Sequence, residues 1–423
     1  AAAGATLTAL VRLRRPAWLA FPVMMASWLV GEAPRLHLLA QLLVLVAAGV
    51  GGVTATVPGR VGMAALAASV VGLVLVDRRA RRAPLGAAEA LARFGVRVTP
   101  ADLVDAAPQV RWWRPDLGSL EGVRVVRDIA YGDHPRHRLD LYLPDGAAPD
   151  VTVADGAAPD RRLPVVLQIH GGAWIIGDKR QQGQPLLRHL ARQGVVGVAM
   201  NYRLAPRHRF PDQLVDVKRA IAWIRTHIGE HGGDPDRLVV TGGSAGGHLA
   251  ALAALTADDE RWQPGFADID CSVAACIPFY PPTDLTNRHR IRWRTASMEP
   301  FLRRWVMPPR SRPAQAPPDE DLWELGSPIS QVRADAPPFF VVQGSLDVLV
   351  WREETRAFVD ALAAVSAAPT VLWEVPGAQH AFDIFTSPRC ATAVAAVAAV
   401  IGSVTGVGSA TPSPTESGGP TRR

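Results

Sequence analysis

The feature that most limits how this chain can fold is a serine bracketed by glycines between a strand and a helix. Arg237-Leu238-Val239-Val240 reads as a buried strand, and Leu249-Ala250-Ala251-Leu252-Ala253-Ala254-Leu255 reads as a helix. Thr241-Gly242-Gly243-Ser244-Ala245-Gly246-Gly247-His248 joins the two. So sharp a turn strains the serine backbone, and near-absent side chains two residues away let strand and helix approach. This is the Gly-x-Ser-x-Gly pattern of a nucleophile elbow, with the hydroxyl clear of the sheet above a helix N-terminus that favours developing negative charge. Alone, the stretch also reads as a glycine-rich turn with a serine helix cap; its context separates the two.

That context is an alternation of short strands and helices. Strands are expected at 123–129, 138–143, 164–169, 195–200, 238–241, 273–278, 339–343 and 370–375, the first two as an antiparallel pair. Helical stretches at 180–192, 211–228, 249–256 and 353–365 separate the later ones. The pattern predicts an α/β fold, a mostly parallel central sheet flanked by helices, with chemistry at the carboxyl ends of its strands. Residues 284–330, with Trp293, Trp305, Trp323 and many prolines and arginines, break the rhythm and read as a cap or lid insertion. Such a basic, tryptophan-bearing lid reads either as a contact for anionic lipid or as a solvated flap with core tryptophans. Asp-Gly-Ala-Ala-Pro-Asp occurs twice, at 145–150 and 155–160, the mark of a surface-loop insertion.

Upstream, the chain is apolar. Residues 36–57 carry no formal charge and as a helix would span roughly 33 Å, enough for a hydrocarbon core of about 30 Å. Residues 61–76 and 16–31 are shorter uncharged runs, the last preceded by Arg12, Arg14 and Arg15. A signal peptide is the rival reading of that first run, and buried core helix the rival for all three. The expected organisation is a basic tail over 1–15, a transmembrane helical anchor over 16–80, a connector over 81–119, a catalytic domain over 120–402 and a disordered Ser/Thr/Pro/Gly-rich tail over 403–423. Arg78, Arg79, Arg81 and Arg82 follow the last apolar run; with two spans the positive-inside rule puts the catalytic domain on the cytoplasmic side of a multi-pass cell-membrane protein. The net charge of +6 comes from arginine and carries no nucleic-acid-binding motif. Cys271, Cys276 and Cys390 have no metal spacing and need no disulfide.

Three further stretches lie at strand ends. His170-Gly171-Gly172-Ala173-Trp174 can aim the amides of Gly171 and Gly172 at a carbonyl oxygen, with Ala245 as a third donor of an oxyanion hole. Gln343-Gly344-Ser345-Leu346-Asp347 offers an acid, for which Asp284 is the competitor. Gly377-Ala378-Gln379-His380 holds the single histidine downstream of Asp347, giving the order Ser244, Asp347, His380. His170 and His248 read as structural, and no HExxH or Cys/His cluster points to a metal.

These stretches, with Asn201-Tyr202-Arg203-Leu204-Ala205-Pro206 and Phe210-Pro211, resemble the α/β-hydrolase superfamily over about residues 120–402. Within it the chain is similar to the hormone-sensitive-lipase-like carboxylesterases and the membrane-anchored esterases of actinobacteria. The resemblance implies Ser244 as nucleophile, His380 as base, Asp347 as its orienter, and Gly171, Gly172 and Ala245 as the oxyanion hole. It implies an ester substrate, a lipid-derived one being favoured by the anchor, a membrane partner, and no cofactor. The chain departs from the branch at Ala173 (usually glycine), Gly243 (usually aspartate) and Asn201 (usually aspartate). An amidase or peptidase on the same fold, and a non-catalytic binding protein, are the rival functions.

Overall fold

The computed structural model describes residues 1–12, 17–145, 162–292, 298–308 and 321–406. The duplicated loop beyond Asp145, Trp293 and most of the C-terminal tail therefore lie outside the described residues.

The β-branched runs form one sheet of eight strands among the described residues: β1 (Val123–Ala130), β2 (Arg138–Pro144), β3 (Leu163–Ile169), β4 (Val196–Met200), β5 (Gly233–Gly243), β6 (Ala275–Phe279), β7 (Phe339–Gly344) and β8 (Thr370–Val375). Their order is β1-β2-β4-β3-β5-β6-β7-β8. The β1/β2 and β2/β4 pairs are antiparallel and the others parallel. Val166, Val239, Ile277, Phe340 and Val342 on one face, and Val165, Leu167, Val240 and Val341 on the other, are all fully buried. Apolar burial on both faces is what a parallel sheet covered by helices requires. Strand order and direction are those of the α/β-hydrolase fold expected from the sequence.

Helices α1 (Ala2–Leu10), α2 (Ala17–Glu32), α3 (Pro34–Val50) and α4 (Val57–Ala80) precede the sheet, followed by α5 (Ala83–Phe94) and α6 (Pro100–Ala106). The remaining helices are α7 (Gln184–Arg192), α8 (Asp212–His227), α9 (Ala245–Leu255), the short turns α10 (Glu299–Phe301) and α11 (Leu322–Leu325), α12 (Arg352–Ala363) and α13 (Pro388–Thr405). Much of the expected N-terminal tail is thus helical. Helix α1 packs on α4 where Gly72 leaves room for Thr6, and Thr6 Oγ1 bonds Ser69 Oγ at 2.8 Å.

By length and apolar character, Val57–Phe94 and Pro388–Thr405 could cross a membrane, and a third span is possible if Trp18–Glu32 and Pro34–Val50, bent by 88°, count as one. The second is a core helix: 67 % of its apolar window is buried, whereas only 22 % of the first is. The apolar run over 36–57 does not stay helical. It ends at Val50, and Gly52 takes a left-handed φ of 69°.

Two buried polar clusters fix the loops around the site. Asp216, fully buried on α8, takes the Arg203 backbone N–H at 2.8 Å and its guanidinium at 2.6 Å, and faces His137 Nε2 at 3.0 Å. Burial raises the Asp216 carboxyl, but the His137 and Arg203 hydrogen bonds outweigh it and hold the group below the usual carboxylate value. Asn201 explains one departure: Nδ2 donates to Asp178 Oδ2 at 2.8 Å while Oδ1 accepts the Lys179 N–H at 2.7 Å. An aspartate there would face Asp178 with like charge.

Asp216→Ala is expected to cost about 3 kcal/mol in a denaturant titration, because it removes the buried acceptor that the Arg203 N–H and guanidinium and His137 share, and leaves Arg203 only its ion pair with Asp212. Because the folded carboxyl is depressed, the pair's contribution is present above the ordinary carboxylate pKa and fades as pH falls through the folded value.

Candidate active site

Ser244 follows the last residue of β5 with φ 56° and ψ −120°, outside the regions open to ordinary residues, at a cost of about 1–3 kcal/mol. The surroundings over-determine this geometry. Its N–H donates to Phe279 O on β6 at 3.0 Å, and its carbonyl accepts the His248 N–H at 2.9 Å. A methyl on Gly246 would stand 2.0 Å from Ile169 O, and one on Gly242 2.6 Å from both Ile169 O and the Gly246 carbonyl carbon. Strand and helix thus touch backbone to backbone, and the serine is left half-buried above them.

Asp347 and His380 meet as expected. His380 Nδ1 lies 2.7 Å from Asp347 Oδ2, so Nδ1 carries the proton and Nε2 is the basic nitrogen. Asp347 is fully buried; Oδ1 accepts the Leu349 and Val350 N–H groups at 2.8 and 2.9 Å, and Oδ2 also accepts Gln343 Nε2 at 3.2 Å. This makes the acid a fixed acceptor. Its competitor Asp284 serves its own turn, accepting from Thr286 N and Arg288 N at 3.1 and 2.7 Å. Among the described residues the Ser244 hydroxyl makes no hydrogen bond: acid and histidine are joined, while serine and histidine are not yet hydrogen-bonded.

The two other candidate histidines are structural. His170 stacks on Tyr202 (centroids 4.3 Å apart), with Nδ1 2.7 Å from Gly171 O, and His248 sits between Trp174 Nε1 at 3.2 Å and Gly326 O at 2.7 Å. Burial pulls both down to about 4, so both are neutral near pH 7.

The oxyanion loop lies against the elbow, for a methyl at Gly171 would come 3.3 Å from Ser244 Cβ. The Gly171 N–H is, however, already committed to Gln182 Oε1 at 2.6 Å, which corrects its expected role as a donor to substrate. The amides of Gly172, Ala173 and Ala245 have no acceptor among the described residues, and Gly172 and Ala173 both have positive φ, 110° and 51°. Ala173 thus supplies a free amide without a third glycine.

Three further residues join the site: Gln182, Tyr280 and Asp383. Gln182 Nε2 donates to the Tyr280 hydroxyl at 2.8 Å, and that hydroxyl donates to Asp383 Oδ1. The Tyr280 ring lies 4.5 Å, centroid to centroid, from the His380 imidazole. The chain of bonds runs from beside the histidine to the oxyanion loop. It also accounts for Gly243, where a Cβ would fall 2.3 Å from Gln182 Nε2 and 2.7 Å from the Tyr280 hydroxyl oxygen. Burial raises the Asp383 carboxyl, against the Tyr280 hydrogen bond and the attraction of His380. No sequence motif marks these residues; the one signal is Gly243 itself.

The family model BD-FAE matches residues 150–362. A probable carboxylic ester hydrolase of Mycobacterium tuberculosis, LipM, is 45 % identical over 287 residues, 66 % of this chain and 62 % of that one. Esterase LipC of the same organism is 36 % identical over 330 residues, 77 % of each chain. Among solved structures, a butyrate-bound esterase of Thermogutta terrifontis superposes with a TM-score of 0.52 at 26 % identity, covering 67 % of this chain and 94 % of that one. The chain thus spans less than two thirds of the length of LipM.

Gly243→Ala is expected to displace Gln182 and lower kcat by roughly 10²-fold on an ester substrate, by loosening the oxyanion loop. Because the folded Asp383 carboxyl is raised, wild-type stability relative to Asp383→Asn should be greatest near and below the ordinary value of 3.8 and decline as pH rises through the folded value. Denaturant midpoints of the two proteins across that range measure the difference.

Proposed function

The chain belongs to the BD-FAE family of hormone-sensitive-lipase-like α/β hydrolases, and on that premise we propose that it is a serine carboxylic-ester hydrolase working through an acyl-enzyme. The observation that carries this reading is the buried Asp347–His380 hydrogen bond of 2.7 Å, in a chain whose elbow serine has a free hydroxyl. In the first half-reaction Ser244 Oγ attacks the ester carbonyl carbon and passes its proton to His380 Nε2. The carbonyl oxygen becomes an oxyanion, met by the amides of Gly172, Ala173 and Ala245. The carbon–oxygen bond to the alcohol breaks, and His380 returns the proton to the leaving alkoxide. Water then repeats the sequence on the acyl-enzyme, releasing the acid and restoring Ser244. Asp347 holds the imidazole with Nε2 forward and stabilises the imidazolium.

Short to medium acyl esters are the proposed substrate class, in keeping with the butyrate held by the Thermogutta esterase. A lipid-derived ester suits the helices before the catalytic domain. Helix α4, 24 residues and roughly 36 Å long, is exposed along its apolar side at Val57, Val61, Val71 and Leu75, as is α3 at Leu43, Val44, Val46 and Val50. We read α3 and α4 as a membrane-crossing hairpin whose flank, Arg78 to Arg82, lies on the cytoplasmic side with the catalytic domain.

Ser244→Ala is expected to reduce kcat on p-nitrophenyl butyrate by roughly 10⁶-fold if the triad acts as a unit. A folded variant that kept most of its hydrolysis would refute the assignment.

A further inference from the structure

Helix α2 does not stand apart from the catalytic domain. One side of it rests on the two loops that carry Asp347 and His380. Ala20 and Met24 pack on Val348, the residue after the acid, with Val23 and Leu349 beside them. Ser27, buried on the same side, donates its hydroxyl to its own helix at Val23 O (2.9 Å) and Met24 O (3.1 Å), which leaves its oxygen free to accept. Gln379 Nε2 donates to it at 3.0 Å.

The other end of that carboxamide reaches both halves of the acid–histidine pair. Gln379 Oε1 accepts the Val348 N–H at 2.9 Å and the His380 N–H at 3.1 Å. The carboxamide gives a proton to the helix from its nitrogen end while its oxygen end takes two from the loops, and burial leaves it no water to turn towards. One residue further on, Trp28 Nε1 donates to Ala381 O at 2.9 Å, and its ring stacks on Phe385 at 5.3 Å. Ala381 has a φ of 62°, so the backbone turns sharply just after His380 and is held there by the indole. Arg12, just before α2, donates to Asp347 O at 3.1 Å while its guanidinium grips both Glu353 oxygens at 2.7 Å.

We propose that α2 is a positioning element of the active site: through Ser27 and Trp28 it sets the His380 loop at the placement from which the imidazole reaches Ser244. The helix touches no reacting atom. It determines how often the missing serine–histidine hydrogen bond forms, a placement to which rate is steeply sensitive. The apolar segment before the catalytic domain is then part of the catalytic apparatus and not only a tether. This inference rests on the esterase reading above.

The test uses the full chain in detergent with p-nitrophenyl butyrate. Ser27→Ala removes the acceptor for Gln379, and Trp28→Phe removes the indole N–H but keeps a ring on Phe385. Each is expected to lower kcat about tenfold with KM unchanged, because neither touches the ester. Ser27→Thr, which keeps a hydroxyl, should restore most of the loss. Arg35→Ala, on α3 and ion-paired with Asp77 at 3.0 Å, should leave kcat at the wild-type value. A merely structural role would lower the melting temperature without this split between kcat and KM. Folded Ser27→Ala and Trp28→Phe proteins with wild-type kcat would overturn the inference while leaving the esterase reading intact. A wild-type protein without Ser244-dependent hydrolysis would overturn both. If Trp28→Phe does not fold, Ser27→Ala, which loses one oxygen atom, decides alone.

Discussion

Everything near the site depends on a single backbone conformation, the positive φ of Ser244. A serine at φ 56° and ψ −120° is strained, and it persists because β5 must turn into α9 without a loop between them. The sheet fixes the strand from both sides, through β3 and β6, and the α9 backbone touches Ile169 O at the end of β3. No side chain fits at Gly242 or Gly246 while those contacts stand. The strain is therefore held by the whole sheet and expresses itself where the hydroxyl stands free at a helix N-terminus.

Around that fixed point the other groups are placed by hydrogen bonds that leave few polar atoms idle. Asp347 spends its acceptor capacity on two backbone amides, Gln343 and His380, which sets the imidazole tautomer. Gln182 ties the Gly171 amide to Tyr280, and Tyr280 is tied in turn to Asp383. The two networks approach each other where the Tyr280 ring lies beside His380. Gly243 and the pair Gln182/Tyr280 are one device, since a side chain at 243 and the present position of these groups exclude each other. Burial keeps His170 and His248 neutral, so both serve as hydrogen-bonding parts of the loops and not as charges at the site.

What was legible in the sequence had a local physical signature. Alternating β-branched runs and helical stretches gave the sheet, because buried parallel strands must be apolar on both faces. Ser244, Asp347 and His380 stand out in the sequence because each follows a strand, and the structure joins Asp347 to His380 but not His380 to Ser244. The donor set was only partly legible, because the amide of Gly171 is spent on Gln182, eleven residues away in a loop without periodicity. Tyr280 and Asp383 left no pattern, for their pairing depends on which loops the sheet brings together. The N-terminal segment was legible as apolar but not as a neighbour of the active site. Hydropathy records how apolar Ala20 and Met24 are, and the packing of Val348 against them is a tertiary fact. The Ala-rich start of the chain likewise gave no sign of α1, whose stability comes from its seat on α4.

The most direct test is a crystal structure of the full chain after reaction with a p-nitrophenyl alkylphosphonate, a mimic of the tetrahedral intermediate. The expected adduct has phosphorus bonded to Ser244 Oγ, a phosphonyl oxygen facing the amides of Gly172, Ala173 and Ala245, and His380 Nε2 within hydrogen-bond reach of Oγ. An adduct on another side chain, or a bound phosphonate with His380 still out of reach of Ser244, would contradict it.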